Sequence, residues 1–488
     1  VLYLQLLPRM ASQLIKGIYT VGKTVSRVPK RAQQQTRAFS SSSSKEVRIP
    51  PYLLNTAPTK VTTLANGIRV ATEESAGETV TFGVHVDAGS AYETEKNNGV
   101  AHFFEHMVFK GTPSRSQEQI ELEVENMGAQ LNAYTSREQT AFVAKSFKKD
   151  VAKMSELLGD VLQNSKVDPA HVERERSVIL QEKEGVEKNL EEVVFDYLHA
   201  AAYQGSPLGR TILGEEKNIR SITRDDLISY VRTHYTGKRM VIAAAGAVNH
   251  EEIVSLAQKH FGAIPAESQG FDFGSLPIAE FVGSEIKIRD DTMEHVTGSV
   301  AFKGSSWSDP DYLTFLLIQN LIGSWDRSMG GGNSLNSRLS EIVSNEALAL
   351  SYSAYNTSYH STGLFGVNFV CPYDRVDEFC SEVMREFALL RSLTQAELDR
   401  AKNRVKSAYL MQLDGSSPVS DDIGRQILTL GRRLTPIEAF LRIDAITVDD
   451  VQRVAWDSFR DVDPVVSAIG PLKYFPDYNT WRSRTTSL

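Results

Sequence analysis

The stretch GVAHFFEHMVFKGT (99–112) contains two histidines, His102 and His106, four residues apart. On an α-helix this spacing puts both imidazoles on one face, one turn apart, where they can share a metal ion. Glu105 then lies beside the metal and not on it, which is where a general base must lie to deprotonate a metal-activated water. The pattern H-x-x-E-H is the inverted form of the H-E-x-x-H motif of zinc peptidases.

Turn-forming residues delimit a short helix around this motif. Asn98-Gly99 precedes it and Lys110-Gly111-Thr112-Pro113 follows it, and such residues are typical of helix ends. The alternative is a chance occurrence on an ordinary helix. With 10 histidines in 488 residues, such an accidental motif is uncommon but possible. The motif and its boundaries together favour a zinc site.

A catalytic zinc usually has three protein ligands, so the third must come from another segment. Residues 171–200 are rich in acids and contain only Gly185 as a helix breaker, which predicts a largely helical segment. Glu175 and Glu182 lie seven residues apart and share a helix face. Spacing alone does not separate them from the neighbouring acids, and for any single acid a solvated helix face is the alternative. These neighbours are Glu184, Glu187 and Glu191.

Several segments together resemble the pitrilysin and insulysin group of inverzincins. They are residues 99–112, Glu182 at 76 residues after His106, and the stretches LNAYTSREQTAF (131–142), ERERSVILQE (173–182) and IGSWDRSMGGG (322–332). The resemblance extends from about residue 55 to the C-terminus. Within the group, the chain is most similar to the branch that unites β subunits of mitochondrial processing peptidases with core 1 proteins of respiratory complex III.

The resemblance implies a set of metal and catalytic residues. One Zn²⁺ per chain would be held by His102, His106 and Glu182, with Glu105 as the general base and Glu175 as a supporting acid.

The resemblance also implies a substrate site. Glu192 and Asp196 would hold an arginine two residues before the cut, and Phe109 would contact the residue after it. Asn132 and Ala133 would bind substrate backbone along a strand edge. Tyr359 is a candidate for assisting the oxyanion. From the residues alone, the acidic pair could equally be a solvated i,i+4 pair, and Phe109 could be a core residue.

An internal repeat divides the chain into two halves. At an offset of 224 residues, Ile222-Thr223, Asp225-Asp226 and Gly246 recur as Ile446-Thr447, Asp449-Asp450 and Gly470. Residues 81–90 likewise resemble 299–306, and at the corresponding offset of 215 the motif residues face Leu317, Asn320 and Leu321. The second half therefore repeats the fold without the metal chemistry.

The predicted fold is α+β, with two pitrilysin-like halves that each pack helices on one face of a β-sheet. Strands at 61–64 and 68–71 flank the hairpin signal Asn66-Gly67, and helices are expected around 99–110, 116–128, 148–163 and 171–200. The predicted domains are a zinc-peptidase domain at 46–265, a linker at 266–285 and an inactive repeat at 286–488. The resemblance implies that the halves close like a clamshell.

The first 45 residues predict a mitochondrial address. They contain eight basic residues, no acid and a serine cluster at 40–44, which is the composition of a transit peptide. Arg37 lies two residues before a plausible cut after Ala38.

The net charge of the chain changes from −8 to −16 without residues 1–45, which excludes a typical nucleic-acid-binding protein and suits attraction of basic peptides. No segment approaches the ~20 apolar residues of a membrane span, and two cysteines, Cys371 and Cys380, fit a reducing matrix.

Two functions of different classes follow from the resemblance. The first is a zinc endopeptidase that removes presequences in the mitochondrial matrix and needs a separate α subunit, because Gly330-Gly331-Gly332 is shorter than the partner's glycine-rich loop. The second is a structural core 1 subunit among the other subunits of the bc1 complex, at the matrix face of the inner membrane. The intact motif favours the first, and both can hold together. A broad insulysin-like peptidase usually joins four such units, which 488 residues cannot supply.

Overall fold

The computed structural model describes residues 57–268, 279–331 and 337–486. The predicted leader (1–45), with its cut after Ala38, lies outside the described residues, as does the central part of the predicted linker at 269–278. The described chain forms two six-stranded sheets, one in each half. The two-half α+β fold predicted from the sequence is therefore confirmed.

The first half contains six strands and eight helices among the described residues. The strands are β1 (Lys60–Thr63), β2 (Arg69–Glu74), β3 (Thr79–Val86), β4 (Gln130–Thr135), β5 (Thr140–Phe147) and β6 (Met240–Gly246). The helices are α1 (Val100–Met107), α2 (Gln117–Met127), α3 (Val151–Asn164), α4 (Pro169–Val186), α5 (Leu190–Ala202), α6 (Glu216–Ser221), α7 (Arg224–His234) and α8 (His250–Phe261). The sheet order is β1-β2-β6-β3-β5-β4, which leaves β4 at an edge.

The second half repeats this arrangement. Its strands are β7 (Glu285–Arg289), β8 (His295–Lys303), β9 (Ser324–Asp326), β10 (Ser351–Ser358), β11 (Gly363–Pro372) and β12 (Val465–Gly470). Its helices are α9 (Tyr312–Ile322), α10 (Arg338–Glu346), α11 (Val376–Leu389), α12 (Gln395–Gln412), α13 (Ser416–Leu430), α14 (Pro436–Ala445), α15 (Val448–Phe459) and α16 (Tyr478–Thr486). The sheet order is β7-β12-β8-β11-β10-β9. The β2–β6 and β7–β12 pairs are parallel, and the other strand pairs are antiparallel.

The repeated residues have the same local role in each half. Thr223 and Asp226 form a capping box at the start of α7, and Thr447 and Asp450 form the same box at the start of α15. Each box pairs two backbone N–H groups that the helix start leaves without acceptors. Each helix then leads into a fully buried strand, β6 or β12.

One helix of each half packs on the sheet of the other half. Leu198 and Ala202 of α5 pack with Ala301, Leu364 and Val465 of the second half. Conversely, Ile423 and Ile427 of α13 pack on the first sheet against its small residues, which are Ala71, Val241, Ala243 and Ala245. The remaining helices cover the opposite faces of the sheets, where the two large cores lie. The exchange joins the halves through apolar contacts that the repeat pattern did not predict.

The segment predicted as one helix over 171–200 is two helices, α4 and α5. The break follows Val186, and Asn189 precedes α5 with non-helical dihedral angles. The Asn189 side-chain amide donates to Glu192 Oε1 at 2.7 Å. Asparagine favours such local hydrogen bonds over a helix interior, so the helix breaks here although the segment contains no proline.

In the described part of the chain, no helix is both long and apolar enough to span a bilayer.

Candidate metal centre and active site

Helix α1 presents both motif histidines toward α4. His102 Nε2 lies 3.7 Å from Glu182 Oε2, and His106 Nε2 lies 3.2 Å from the same oxygen. Each of these three residues offers one ligand atom, a ring nitrogen or a carboxylate oxygen, and the three atoms lie within 4.8 Å of one another. Among the described residues this is the single group of three or more His, Cys, Asp and Glu side chains arranged in this way.

The separations between the Glu182 oxygen and the two imidazole nitrogens fit a tetrahedral zinc. Bond lengths of about 2.0–2.2 Å at a tetrahedral angle separate ligand atoms by about 3.3–3.6 Å. The distances of 3.2 and 3.7 Å to Glu182 Oε2 bracket that range. Two imidazoles and one carboxylate are also the donor set of a catalytic zinc site, because they leave a fourth position for water or substrate.

Glu175 lies behind His106 and orients it. Glu175 Oε2 is 3.3 Å from His106 Nδ1, and Glu175 Oε1 is 2.7 Å from Lys110 Nζ. A carboxylate on the far nitrogen fixes the tautomer of a ligating histidine and makes it a better donor. Lys110 was not among the site residues predicted from the sequence. It lies four residues after His106, just beyond the end of α1, and its charge balances the buried Glu175.

The site separates the protonation states of the two histidines. Burial, together with the nearby His106, lowers the pKa of His102 to about 4. Burial would also lower the pKa of His106, but its hydrogen bonds to Glu175 and Glu182 prevail and raise it to about 9. Burial opposes ionisation of Glu182, but His106 and His102 hold the pKa of this carboxyl below its usual value.

Glu105 projects from α1 toward the end of strand β4. Burial raises the pKa of Glu105, and contacts with Thr135 together with the charge of His106 partly offset that effect. A carboxylate with a raised pKa next to a metal site suits a general base, because it accepts and returns a proton more readily near neutral pH. Of the other acids considered as ligands, Glu184 and Glu187 are exposed.

The predicted arginine-binding pair lies on α5, where the two acids differ in environment. Glu192 is exposed and accepts a hydrogen bond from Asn189. Asp196 Oδ1 instead accepts a hydrogen bond of 2.6 Å from Arg137 Nη2, a guanidinium that is 6% exposed. Asp196 is therefore already paired within the chain through one oxygen. No local pattern could predict this partner, because Arg137 lies 59 residues away in the β4–β5 turn.

Tyr359 belongs to a buried hydrogen-bond chain between the halves. His199 Nδ1 lies 2.8 Å from the Phe195 carbonyl, which can only accept, so Nδ1 carries the proton. Burial and Arg137 lower the pKa of His199, so its ring is neutral and Nε2 accepts the Tyr359 hydroxyl proton at 2.6 Å. That hydroxyl consequently has no hydrogen left for the oxyanion role predicted from the resemblance.

The predicted backbone-binding residues lie on an open sheet edge. Asn132 and Ala133 belong to β4, which pairs with β5 through Asn132↔Val143 and Ala133↔Phe142. An extended peptide can add to the other side of such an edge strand. Phe109 is half-buried and its ring meets that of Phe142 edge-on at 6.4 Å, so it is partly a core residue.

Comparison with known proteins identifies the family. A model of the insulinase family of M16 peptidases matches residues 69–216, and a model of the inactive M16 peptidase domain matches residues 221–405. The chain belongs to the M16 peptidase family. It is 48% identical to the mitochondrial-processing peptidase subunit beta of Dictyostelium discoideum, over 93% of this chain and 98% of that protein. It is 49% identical to the bovine subunit beta, over 88% of this chain and 87% of that protein.

Solved structures agree with the M16 fold. A chain of complex III2 from Candida albicans superposes with a TM-score of 0.78 at 26% identity and covers 87% of this chain and 99% of its own length. A protease from Helicobacter pylori superposes with a TM-score of 0.76 at 20% identity, covering 85% of this chain, and shows a shared fold alone. As an M16 family member with an intact motif half and an inactive half, the chain is a metallopeptidase that uses a divalent metal.

Proposed function

We propose that the chain is the catalytic, β-type subunit of a zinc endopeptidase that removes basic N-terminal presequences from imported mitochondrial precursors. The observation that carries this proposal is the group formed by His102, His106 and Glu182, with Glu105 beside it on the same helix. Identity near one half to curated processing-peptidase β subunits supports the substrate class. Two domains are proposed, a metal-bearing one at 46–265 and a metal-free one at 286–488, with a linker at 266–285.

In this proposal, His102, His106 and Glu182 hold one zinc ion and Glu175 keeps His106 oriented toward it. A bound zinc supplies Lewis-acid chemistry, since it acidifies water and polarises a carbonyl. Glu105 takes the proton of the attacking water at a carboxylate oxygen, and then delivers it to the nitrogen of the leaving amine. Burial raises the pKa of Glu105, which makes its carboxylate a better acceptor for that proton.

Substrate recognition in this proposal uses an edge strand and acidic side chains. The presequence backbone adds to β4 at Asn132 and Ala133, beside the strand end that Glu105 faces. Phe109 contacts the residue after the cut. Glu192 and the free oxygen of Asp196 bind the arginine before the cut, while Arg137 holds the other oxygen.

We further propose that the chain acts in the matrix together with a separate α subunit. A second function, as a core 1 subunit among the other subunits of the bc1 complex, is favoured by the structural likeness to a chain of complex III2. Solubilising mitochondria in mild detergent and following the chain on native gels separates the two. Migration with an α-type M16 subunit supports the peptidase alone, and migration with complex III supports the core role as well.

The peptidase proposal predicts that Glu105→Gln inactivates without removing the metal. The amide keeps the size of the side chain but cannot accept the proton, so presequence cleavage should fall by at least ~10². Zinc content and peptide affinity should stay at wild-type values. The measurement is the cleavage rate of the purified complex with its α subunit.

Glu184→Gln is the matched control for this variant, because Glu184 is an exposed acid on neighbouring α4. It should cleave at the wild-type rate. Wild-type turnover in Glu105→Gln would remove Glu105 as the base.

A further inference from the structure

Helix α1, which carries both histidines, begins without a cap of its own. It starts at Val100 after Gly99, whose φ of 101° is left-handed and which has no side chain to accept a hydrogen bond. The first four N–H groups of any helix lack acceptors inside the helix. At eight residues, α1 is also too short to be stable without outside contacts. His102 is its third residue, so the uncapped turn carries a candidate metal ligand.

Glu93, which precedes the helix, supplies the missing acceptors. Its Oε2 accepts the Gly99 N–H at 2.7 Å and the Asn98 side-chain amide at 2.8 Å. Its Oε1 accepts the Ala101 N–H at 2.8 Å. Glu93 is 3% exposed. A buried carboxylate six residues upstream of Gly99 therefore does what an N-cap side chain does, and its charge complements the positive end of the helix.

A second layer of contacts fixes Glu93 itself. The Asn98 amide that reaches Glu93 also donates to the Thr211 carbonyl at 2.9 Å. The Arg210 guanidinium donates to the Glu93 carbonyl oxygen. There is no spare room on this side, because a Cβ on Gly214 would lie 2.4 Å from the Asn98 carbonyl oxygen. The start of α1 is thus held against the segment that precedes α6.

We propose that Glu93 is a positioning residue for the metal centre, which fixes α1 relative to α4 so that His102 and His106 meet Glu182. This inference rests on the zinc site proposed above. Ligand atoms must lie within about 0.2 Å of their ideal distances for tight binding. Both imidazoles belong to α1 and the carboxylate belongs to α4, so a shift at the start of α1 moves two ligands away from the third.

The substitution Glu93→Gln separates positioning from a merely structural role. Burial raises the pKa of Glu93 to about 7, while its hydrogen bonds to Ala101, Gly99 and Asn98 favour the ionised form. If Glu93 were only a buried charge, a neutral amide of the same shape would be tolerated or would stabilise the fold. The amide has a single accepting oxygen, however, and its NH₂ group would face N–H donors. Positioning therefore predicts damage at the metal site in a chain that still folds.

The experiment compares the full chain, in complex with its α subunit, with Glu93→Gln and with Glu95→Gln at pH 8. Glu95 is an exposed acid two residues further on, so it receives the same chemical change without touching α1. Zinc affinity is measured by chelator competition, and ligand geometry by the visible absorption of the Co²⁺-substituted protein. Zinc affinity should fall at least about tenfold in Glu93→Gln with an altered Co²⁺ spectrum. Glu95→Gln should match the wild type in both.

Unchanged zinc affinity and an unchanged Co²⁺ spectrum in folded Glu93→Gln would overturn the proposal. If that variant does not fold, Glu93→Asp replaces it, because the carboxylate is kept but is one methylene too short to reach both N–H groups. Zinc affinity of Glu93→Asp should then be weakened, and wild-type affinity would equally overturn the proposal. A wild-type protein that binds no zinc would instead refute the metal centre itself, and this inference with it.

Discussion

At the scale of single residues, the proposed metal centre uses three donors that come from two helices. Removing one of three ligands cripples a catalytic zinc site, because the remaining two cannot hold the ion against water. We expect about one zinc per chain in the purified wild type and far less in His102→Ala or Glu182→Gln. Metal analysis after dialysis checks this. Stoichiometric zinc in both variants would remove the assignment of these ligands.

Lys110 provides a test of the layer behind the ligands. Its ammonium lies 2.7 Å from Glu175 Oε1, and Glu175 in turn contacts His106. Lys110→Met keeps the length of the side chain and removes its charge, which leaves a buried carboxylate poorly balanced. Zinc affinity should fall about 10–100-fold, the usual effect of losing an outer partner of a metal ligand.

The matched control for Lys110 is Lys183→Met. Lys183 is partly buried and forms an i,i+4 pair with the exposed Glu187 at 3.3 Å, where helix α4 ends. Such surface pairs contribute little, so zinc affinity should be unchanged. Equal losses in the two variants would show that Lys110 acts through general charge and not through Glu175.

At the scale of secondary-structure elements, the exchanged helices α5 and α13 make the halves interdependent. All four tryptophans, at positions 307, 325, 456 and 481, lie in the second half, so their fluorescence reports that half alone. Leu157 on α3 is fully buried in the core of the first half. Leu157→Ala should lower stability by about 2–5 kcal/mol and should shift the tryptophan unfolding transition in urea, although the mutated core contains none of the tryptophans.

Leu122→Ala is the control for this test, because Leu122 on α2 is 58% exposed. It should leave the tryptophan transition in place. A tryptophan transition that also stays in place in Leu157→Ala, while circular dichroism detects an earlier unfolding step, would mean that each half unfolds independently.

Local patterns predicted most elements, and non-local pairing explains what they missed. The Asn66-Gly67 hairpin, the buried strand β6 and the repeated capping boxes follow from turn, hydropathy and capping rules that act within a few residues. The exchange of α5 and α13 could not be predicted this way, because an apolar helix face does not say which sheet it covers. The same limit hid Arg137, whose partner Asp196 is remote in sequence.

The site shows the same division between local and remote signals. His102 and His106 lie one turn apart on one helix with Glu105 next to His106, so their spacing was sufficient to predict two ligands on one face and a base beside them. Spacing within the helix did not choose Glu182 over the other acids. The family resemblance implied it, and the packing of α4 on α1 brings Glu182 Oε2 to 3.2 Å from His106 Nε2. Glu93 gave no signal, since a capping acid normally lies within three residues of the helix start and this one lies further upstream.

At the scale of the whole molecule, the proposed substrate preference combines a long-range effect of charge with a short-range contact between the halves. Without residues 1–45 the chain has a net charge of −16, which draws basic peptides over long distances but does not choose a cleavage site. Site choice requires a short-range contact. The candidate contact lies on α5, whose opposite side packs on the second sheet, so the acids Glu192 and Asp196 face the space between the halves in this proposal.

A double-mutant cycle on the cleavage rate tests that contact. Glu192→Gln with Asp196→Asn should slow cleavage of a presequence whose arginine lies two residues before the cut, about 10–100-fold, as expected for a charge-assisted contact of about 1.5–3 kcal/mol. The same variant should lose much less activity on a peptide with alanine at that position, where only the broken Arg137–Asp196 ion pair slows cleavage. A purely solvated acid pair would contribute less than about 1 kcal/mol and would affect both peptides alike.

The two single variants then separate the acids. Arg137 already occupies Asp196 Oδ1 at 2.6 Å, so Asp196→Asn breaks a buried ion pair as well as any substrate contact and should slow cleavage of both peptides. Glu192 is exposed, and its side chain accepts a hydrogen bond from the neighbouring Asn189. Glu192→Gln should therefore slow cleavage of the arginine peptide selectively. If the enzyme and peptide changes have additive effects throughout the cycle, the arginine is recognised by residues outside α5.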